Sequence, residues 1–469
     1  MARVSRDLND GPVWKALLSV SGPMAFGILS GVSVGLVDSY FLAKLGGDAL
    51  AAVGFVYPVV FTVMSLSIGL AAGANATISQ ALGRREDDDA VVRSGLHAVA
   101  LAVGLAVATS ALFLLLDRPL MSAMGAEGAV LDATLEYTAV WAFSFPFLVG
   151  MMQTNAVFRA HGNGGRAAGI MILSSVVNIA LTPLLIFGWG PVPALGVTGA
   201  ALATLIAQAL ACAVSTWLAI RDGILRPCGD LWSDLRANAR KIGGVGGPAA
   251  VSNAIAPAGM AAVTAAVATL GAGYVGGFGA ATRVESVVAV PLLALSAGIG
   301  PVVGQAWGAG DPDRAAKALR LSILFSLGYG LLVAVALFLL AEPIAAAFGT
   351  GDESLAAAAG YLRVVGWSLF GYGMLIVGNA ALNAMSRSGY AMGMSLLRVL
   401  ALYVPLAWAG ATLFGYAGVL GAAVVANLFA AGAVLVTARA AGLRVLEAGP
   451  IRIVAARLPR SRLDPTPAE

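Results

Sequence analysis

Long apolar runs dominate the chain and alternate with short polar connections. A run of about 20 apolar residues is long enough to cross the hydrocarbon core of a bilayer as an α-helix. We predict spans at 15–43, 49–81, 91–116, 131–158, 167–188, 195–220, 242–269, 275–307, 315–341, 355–385, 388–413 and 417–440. The pattern therefore predicts an all-α integral membrane protein with twelve transmembrane helices.

The second half of the chain repeats the first. The stretch 45–88 reappears as 270–313, and the register holds through the later spans. Matched pairs are Gly54 with Gly279, Gln80 with Gln305, Gly83 with Gly308, Tyr137 with Tyr361 and Asn155 with Asn379. Each half holds six predicted spans, and because six is even, both halves enter the membrane from the same side. The sequence thus predicts two six-helix lobes related by a parallel internal repeat, an arrangement that places a transport path between the lobes.

The charged positions suggest where the lobes begin and end. We expect an N-terminal lobe at 1–220, a linker at 221–241, a C-terminal lobe at 242–443 and a basic tail at 444–469. Within the linker, Asp230–Arg236 has the pattern of a short amphipathic helix lying at the membrane face.

Composition indicates that the chain lies in a membrane, and the positions of its charges predict how it is oriented there. With 59% hydrophobic residues, 11% charged residues and a mean hydropathy of +0.88, the chain is too apolar for a soluble globular protein. Most Lys and Arg residues fall in one set of loops, whereas the other set holds little beyond Lys44 and Arg118. This asymmetry predicts a multi-pass protein of the cell (inner or plasma) membrane with both termini in the cytoplasm. The net charge of +4 then reflects orientation and gives no support to nucleic-acid binding.

Several classes of chemistry lack support in the sequence. The first apolar stretch is too long for a signal-peptide core and is expected to remain as the first helix. No Gly-rich phosphate-binding loop, paired histidine motif or carboxylate dyad falls inside a span, so we expect neither an enzyme nor a bound cofactor or metal ion. The two cysteines do not form a disulfide framework.

Asp38 is the clearest charged residue inside a predicted span. A charged group at the centre of a bilayer costs about 2.5 to 3.5 kcal/mol by insertion scales, and such groups are usually functional. No cation lies next to Asp38 in the sequence, and burial favours the neutral form of a carboxyl group. We therefore expect Asp38 to bind and release a proton, with a structural brace as the alternative. Pro23, in the same span, allows a kink that couples protonation to helix bending.

Other polar residues inside the spans extend the candidate site. Uncharged polar groups in hydrocarbon need partners, so we expect a hydrogen-bonded network near Asp38 in the first lobe. Its predicted members are Tyr137, Asn155, Asn178, Thr182 and Thr204. Candidates for either a substrate cavity or an interhelix brace are Gln80, Arg283, Glu285, Gln305 and Asn379. The repeat partner of Asp38 is Val263, so ion coupling is predicted to reside in the first lobe.

These residues carry a resemblance to a known family. The segments 37–46 and 49–54, with Pro58, resemble the first two spans of the multidrug and toxic compound extrusion (MATE) family. Asn178, Pro183 and the segment 196–204 resemble its fifth and sixth spans. Arg283–Ser286, followed by Gln305 and Gly308, is similar to the DinF-like branch.

The resemblance implies two lobes around a central cavity and export of bulky, often cationic amphiphiles in exchange for H+ or Na+ by alternating access. It also implies that Asp38 is the carboxylate that binds the coupling ion, with Tyr137, Asn155, Asn178 and Thr204 as polar neighbours. Relatives of this branch often have a second Asp where this chain has Thr182, and fewer carboxylate ligands favour H+ over Na+. A Na+-coupled antiporter remains an alternative.

Two alternative functions remain open as hypotheses. A lipid-linked oligosaccharide flippase of the same superfamily would need several cations inside the spans, and the chain offers mainly Arg283 and Arg363. A scaffold or receptor that transports nothing would not need an unpaired buried Asp. The expected partners are small amphiphilic substrates and membrane lipids, without nucleic acid, and the expected state is a monomer.

Overall fold

The structure is a computed structural model that describes residues 7–348 and 351–445, without the side chains of residues 48–50. Most of the predicted basic tail, residues 446–469, lies outside the described residues.

The described chain is helical throughout, apart from short turns and one isolated bridge between Trp189 and Val192. A 3-10 turn at Gly366–Ser368 and a π-helical turn at Leu397–Tyr403 interrupt the second half. The α-helices are α1 (Val13–Leu45), α2 (Gly47–Gly83), α3 (Asp88–Ala123), α4 (Gly128–Trp141), α5 (Ser144–Ala160), α6 (Gly164–Phe187), α7 (Gly196–Arg221), α8 (Leu235–Ala268), α9 (Ala272–Val288), α10 (Val290–Gly308), α11 (Pro312–Ala346), α12 (Asp352–Val365), α13 (Leu369–Ala384), α14 (Ser388–Leu396), α15 (Val404–Phe414) and α16 (Tyr416–Ala440).

These helices confirm the all-α membrane architecture. Eleven described segments are long and apolar enough to span a bilayer, and a twelfth appears when α4 and α5 are counted as one bent span. The bend between α4 and α5 is 48°. The helices α1–α7 and α8–α16 correspond to the two halves of the repeat.

Three spans that the hydrophobic pattern predicts as continuous are broken. Two of the breaks, after Trp141 and after Val365, fall at equivalent positions of the repeat. Backbone carbonyl groups released at these breaks find hydroxyl donors. Ser110 donates to the carbonyl of Ala142 at 2.7 Å, and Ser368 donates to that of Val365 at 2.9 Å. The third break, at Ala289 between α9 and α10, precedes Pro291, which cannot donate a backbone hydrogen bond.

The connection between the lobes is shorter than predicted, and its expected amphipathic helix does not form. The segment 231–234 is a turn, and α8 begins directly afterwards at Leu235. The carboxylate of Asp230 accepts hydrogen bonds from the backbone N–H groups of Trp232 and Ser233, at 3.1 and 3.3 Å. An aspartate that bonds to the backbone two residues ahead favours a turn over a helix.

The two lobes meet at the end of the bundle where α1 begins and where α2 and α10 end, which we call the N-terminal face. Here α1 packs on α10, and α2 packs on both α8 and α10. The contact is so close that a side chain at Gly73 would overlap the backbone of Ile242. In the other half of α1 and α2, by contrast, side chains such as those of Tyr40 and Tyr57 are exposed.

Candidate functional site

Asp38 lies on α1, in the half of the helix farther from the N-terminal face. Its carboxylate accepts a hydrogen bond from the hydroxyl group of Thr182 on α6, with 3.0 Å between the oxygen atoms. Asn178 lies one helical turn before Thr182, so both side chains project from the same side of α6. The spacing of four residues therefore directs two polar groups of α6 towards α1.

The network continues from Thr182 through two further side chains. The hydroxyl of Thr182 lies 3.5 Å from Oδ1 of Asn178, and Nδ2 of Asn178 donates to the hydroxyl of Thr204 on α7 at 3.2 Å. Thr204 in turn donates to the backbone carbonyl of Ala200 at 3.2 Å. Both Asn178 and Thr182 are buried. Because a polar group left unpaired in an apolar interior is costly, this chain of bonds explains how three helices tolerate amides and hydroxyls in their shared interior.

The carboxylate of Asp38 has a hydroxyl partner but no cationic one. Among the described residues, the structure records no ion pair for Asp38. The phenol of Tyr137 on α4 is buried near Asp38 and near Tyr57 of α2. A half-buried carboxylate without a fixed counter-ion can bind a proton or a small cation. The oxygen atoms of Asp38, Asn178 and Thr182 are the groups available to hold such an ion.

Not every predicted neighbour joins the network. Asn155 is buried on α5, but no hydrogen bond in the described part of the chain links it to Asp38, and its Oδ1 atom has no partner. Pro23 lies near the other end of α1, and the helix continues through it from Val13 to Leu45. The structure therefore joins Thr182, Asn178 and Thr204 to Asp38 and leaves Asn155 and Pro23 apart.

The second lobe contains a different polar cluster. The phenol of Tyr361 on α12 donates to the carboxylate of Glu285 on α9 at 2.5 Å. The guanidinium of Arg398 donates to Oδ1 of Asn427 at 2.6 Å, and Nδ2 of Asn427 donates to Ser368 at 2.9 Å. Glu285 and Arg398 also interact electrostatically. This lobe therefore places its half-buried acid beside a phenol and a nearby cation, whereas the acid of the first lobe has no cation beside it among the described residues.

Sequence reasoning missed Arg398. Its guanidinium lies 5.4 Å from the ring centroid of Tyr372, and its buried Nε atom has no hydrogen-bond partner among the residues that the structure describes. The signal was available, because Arg398 is a lone cation inside the apolar run 388–413. Arg283, which the sequence pattern favours as a candidate, is exposed instead.

The remaining predicted cavity or brace residues lie in the second lobe and at the N-terminal face. Asn379 donates to the hydroxyl of Ser395 at 3.1 Å, a bond inside the second lobe. Gln80 and Gln305 lie at the N-terminal face, where each bonds to the opposite lobe. Their geometry is that of braces between helices.

Comparison with known proteins identifies the family. The model of the MatE family matches residues 23–184 and 248–409, one match in each half of the repeat. The FAD transporter of Shewanella oneidensis is 34% identical over 90% of this chain and 93% of its own length. The probable multidrug resistance protein YoeA of Bacillus subtilis is 26% identical over 86% of this chain and 88% of its own.

Solved structures agree with the family match. A crystal structure of the MATE transporter VcmN from Vibrio cholerae is 28% identical, with a TM-score of 0.86 over 92% of this chain and 98% of that one. The outward-facing conformation of a multidrug resistance MATE transporter of the MOP superfamily is 25% identical, also with a TM-score of 0.86, over 92% and 96% of the two chains. The family match in both halves, the long relatives and the shared fold together show that this chain belongs to the MATE family of membrane transporters.

Proposed function

We propose that the chain is a secondary active efflux transporter that exports amphiphilic, often cationic compounds in exchange for H+, with Asp38 as the protonation site. The observation that carries the proposal is the environment of the Asp38 carboxylate, which has a hydroxyl partner and, within residues 7–348 and 351–445, no ion pair. A carboxylate in that setting can be neutralised either by a proton or by a cationic substrate. Competition between the two for one negative charge is the simplest basis for exchange.

Protonation of Asp38 would rearrange the hydrogen bonds of its neighbours. The hydroxyl of Thr182 has a single hydrogen, with Asp38 at 3.0 Å and Asn178 at 3.5 Å as its acceptors. While Asp38 is ionised, the shorter bond to the carboxylate is favoured, since bonds to charged acceptors are the stronger ones. Once Asp38 is neutral, that preference weakens and the hydroxyl is free to turn to Asn178. Protonation thereby loosens α1 from α6, which is a route from proton binding to helix movement.

The direction of transport follows from the proposed orientation. With both termini in the cytoplasm, the N-terminal face is the cytoplasmic one, and the close packing of α2 against α8 and α10 closes the path on that side. The exposed Tyr40 and Tyr57 then belong to the half that opens outward. An outward-open site would load a proton from the exterior and release substrate there. Lobe rocking would then present the protonated site to the cytoplasm.

Sodium remains the alternative coupling ion. Asp38, Asn178 and Thr182 offer oxygen ligands, but only one of them is a carboxylate, and hard cations favour sites with more oxygen ligands and more negative charge. Proteoliposomes loaded with a fluorescent cationic dye distinguish the ions when a proton gradient or a sodium gradient is imposed alone. We expect efflux with the proton gradient only, and loss of that efflux in Asp38→Asn. Efflux driven by sodium alone would reject the proposed ion, and undiminished efflux by the variant would reject Asp38.

A second candidate substrate is a flavin dinucleotide, because the Shewanella oneidensis relative is an FAD transporter. The outer half of the first two helices offers groups suited to an aromatic anion. Tyr57 and Phe61 stack with ring centroids 6.2 Å apart, and the ammonium of Lys44 lies 4.6 Å from the ring centroid of Tyr40. Parallel efflux assays with FAD and with the cationic dye test the two classes. Export of FAD alone would replace cationic amphiphiles as the proposed cargo while leaving the role of Asp38 to be tested separately.

A further inference from the structure

The geometry points to Gln80 and Gln305 as paired positioning residues that latch the two lobes together at the N-terminal face. Each side chain crosses from its own lobe to a helix end of the other. Both bonds must break before the lobes can separate at this face. The inference is independent of the coupling ion and of the cargo.

The first latch runs from α2 to the second lobe. Nε2 of Gln80 donates to the backbone carbonyl of Ala384 at 2.6 Å and to the hydroxyl of Ser386 at 3.0 Å. Ala384 is the last residue of α13. The last four carbonyl groups of a helix have no partner within the helix, so this carbonyl is a ready acceptor for a side-chain amide.

The second latch runs in the opposite direction. Nε2 of Gln305, on α10 of the second lobe, donates at 2.8 Å to the carbonyl of Ala160, the last residue of α5 in the first lobe. Gln80 and Gln305 are matched in the repeat. Ala160 and Ala384 are matched as well, since each ends the helix that carries one of the matched pair Asn155 and Asn379. Each lobe therefore donates one glutamine and offers one helix end.

The helices that carry the two glutamines cross in direct backbone contact. A methyl group at Gly83 would overlap the carbonyl oxygen of Gln305, and one at Gly308 would overlap that of Gln80. Glycine is therefore required at both positions for the helices to approach so closely. The close crossing brings each glutamine within reach of the helix end beyond its partner.

A third element strengthens the Gln305 latch. The backbone N–H of Leu8, in the segment before α1, donates to Oε1 of Gln305 at 3.0 Å. Arg314 of α11 holds that segment by donating to the carbonyl groups of Leu8 and Gly11, at 2.7 and 3.1 Å. Leu8 is only 1% exposed and packs in the core of the second lobe. The start of the first lobe is thus strapped to the second lobe through the same glutamine amide.

The test measures separation of the lobes directly. Nitroxide labels at Asp88 and Asp313, exposed residues in the first turns of α3 and α11, report the distance across the N-terminal face by double electron–electron resonance. The two native cysteines, Cys212 and Cys228, are replaced by Ser. Gln80→Met and Gln305→Met keep the side-chain length and remove the hydrogen bonds.

Gln153→Met is the matched control, because Gln153 also donates its amide to a backbone carbonyl, that of Ser67 at 3.3 Å, but within the first lobe. From the usual net strength of a hydrogen bond, we expect Gln80→Met to raise the ratio of long to short distances about fivefold. Gln305→Met should raise it further because the strap is released as well. Gln153→Met should leave it unchanged. Unaltered distances in both latch variants, or equal changes in all three, would overturn the inference.

Two further variants keep the test decisive if a methionine variant fails to fold. Gln80→Asn retains the amide but shortens its reach, and it should shift the distances in the same direction. Gly83→Ala forces the crossing helices apart without removing a polar group, whereas Gly54→Ala, on the same helix with open space around it, should change nothing. Separation in Gly83→Ala but not in Gln80→Asn would show that backbone packing, and not the glutamine, holds the face.

Discussion

The hydroxyl group of Thr182 lies 3.0 Å from the carboxylate of Asp38 and is the direct hydrogen-bond link between α6 and that acid. This bond stabilises the ionised carboxylate. Thr182→Val removes the donor with little change in shape, so proton release becomes harder and the pH at which efflux is half-maximal should rise. A bond to a charged group contributes about 1.5 to 3 kcal/mol, which corresponds to a shift of about one pH unit or more.

Thr182→Ser and Thr204→Val are the controls for this shift. The serine variant keeps the donor and should retain the wild-type pH profile. Thr204 bonds to Asn178 and not to Asp38, so its valine variant should shift the profile less than Thr182→Val does. Efflux profiles that coincide for wild type and Thr182→Val would mean that the bond does not influence proton exchange.

The charged cluster of the second lobe should contribute to stability. Arg398→Met leaves the Oδ1 atom of Asn427 unpaired and removes the cation near Glu285. Breaking a partly buried arrangement of this kind lowers the free energy of unfolding by about 2 to 4 kcal/mol. The loss is detected as a lower thermal unfolding temperature in detergent. Adding Glu285→Gln to the same chain should restore part of the lost stability, because no carboxylate is then left without its neighbouring cation.

An exposed arginine provides the comparison for Arg398. Arg363 pairs with Glu342 at 2.7 Å, and their side chains are 42% and 66% exposed. Exposed pairs contribute little, below about 1 kcal/mol, so Arg363→Met should barely change the unfolding temperature. Equal effects of the two arginine variants would contradict a special role for Arg398.

His161 should make stability depend on pH. It follows α5 at the N-terminal face, and burial lowers the pKa of its imidazole below the ordinary value of 6.5. Below the unfolded pKa, the unfolded chain binds a proton that the folded chain does not, so stability is lost as the pH falls below about 6.5. His161→Asn, which keeps an N–H donor for the carbonyl of Val157, should lose less unfolding temperature between pH 7.5 and pH 5.5 than wild type. An equal loss in both proteins would show that the pKa of His161 does not differ between the folded and the unfolded chain.

The sequence predicted the spans well because each depends on local apolar length. It did not predict the breaks at Trp141 and Val365, since the hydroxyl donors that satisfy the interrupted backbone come partly from elsewhere, as Ser110 on α3 does. The π-helical turn at Leu397–Tyr403 was also missed, although Pro405 shortly after it signals a disturbed hydrogen-bond ladder.

Some residues of the candidate site could be predicted from the local sequence, and others depend on how the helices pack. Asp38 stood out because a charge in an apolar run is conspicuous, and Asn178 with Thr182 followed from their spacing on one helix. Asn155 belongs to the same class of residue, but its position on α5 does not bring it into the network, and only the packing of α5 against its neighbours decides that. The crossed bonds of Gln80 and Gln305 depend on how the lobes meet, which local sequence does not encode.

We propose that one carboxylate, that of Asp38, binds the proton and releases it when the substrate binds. The most direct measurement adds the fluorescent cationic dye to purified protein in weakly buffered detergent solution and records proton release with a pH indicator. We expect wild type to release about one proton for each dye molecule bound, at a pH where Asp38 is protonated, and Asp38→Asn to release none. Proton release by Asp38→Asn equal to that of wild type would show that Asp38 is not the group that carries the proton.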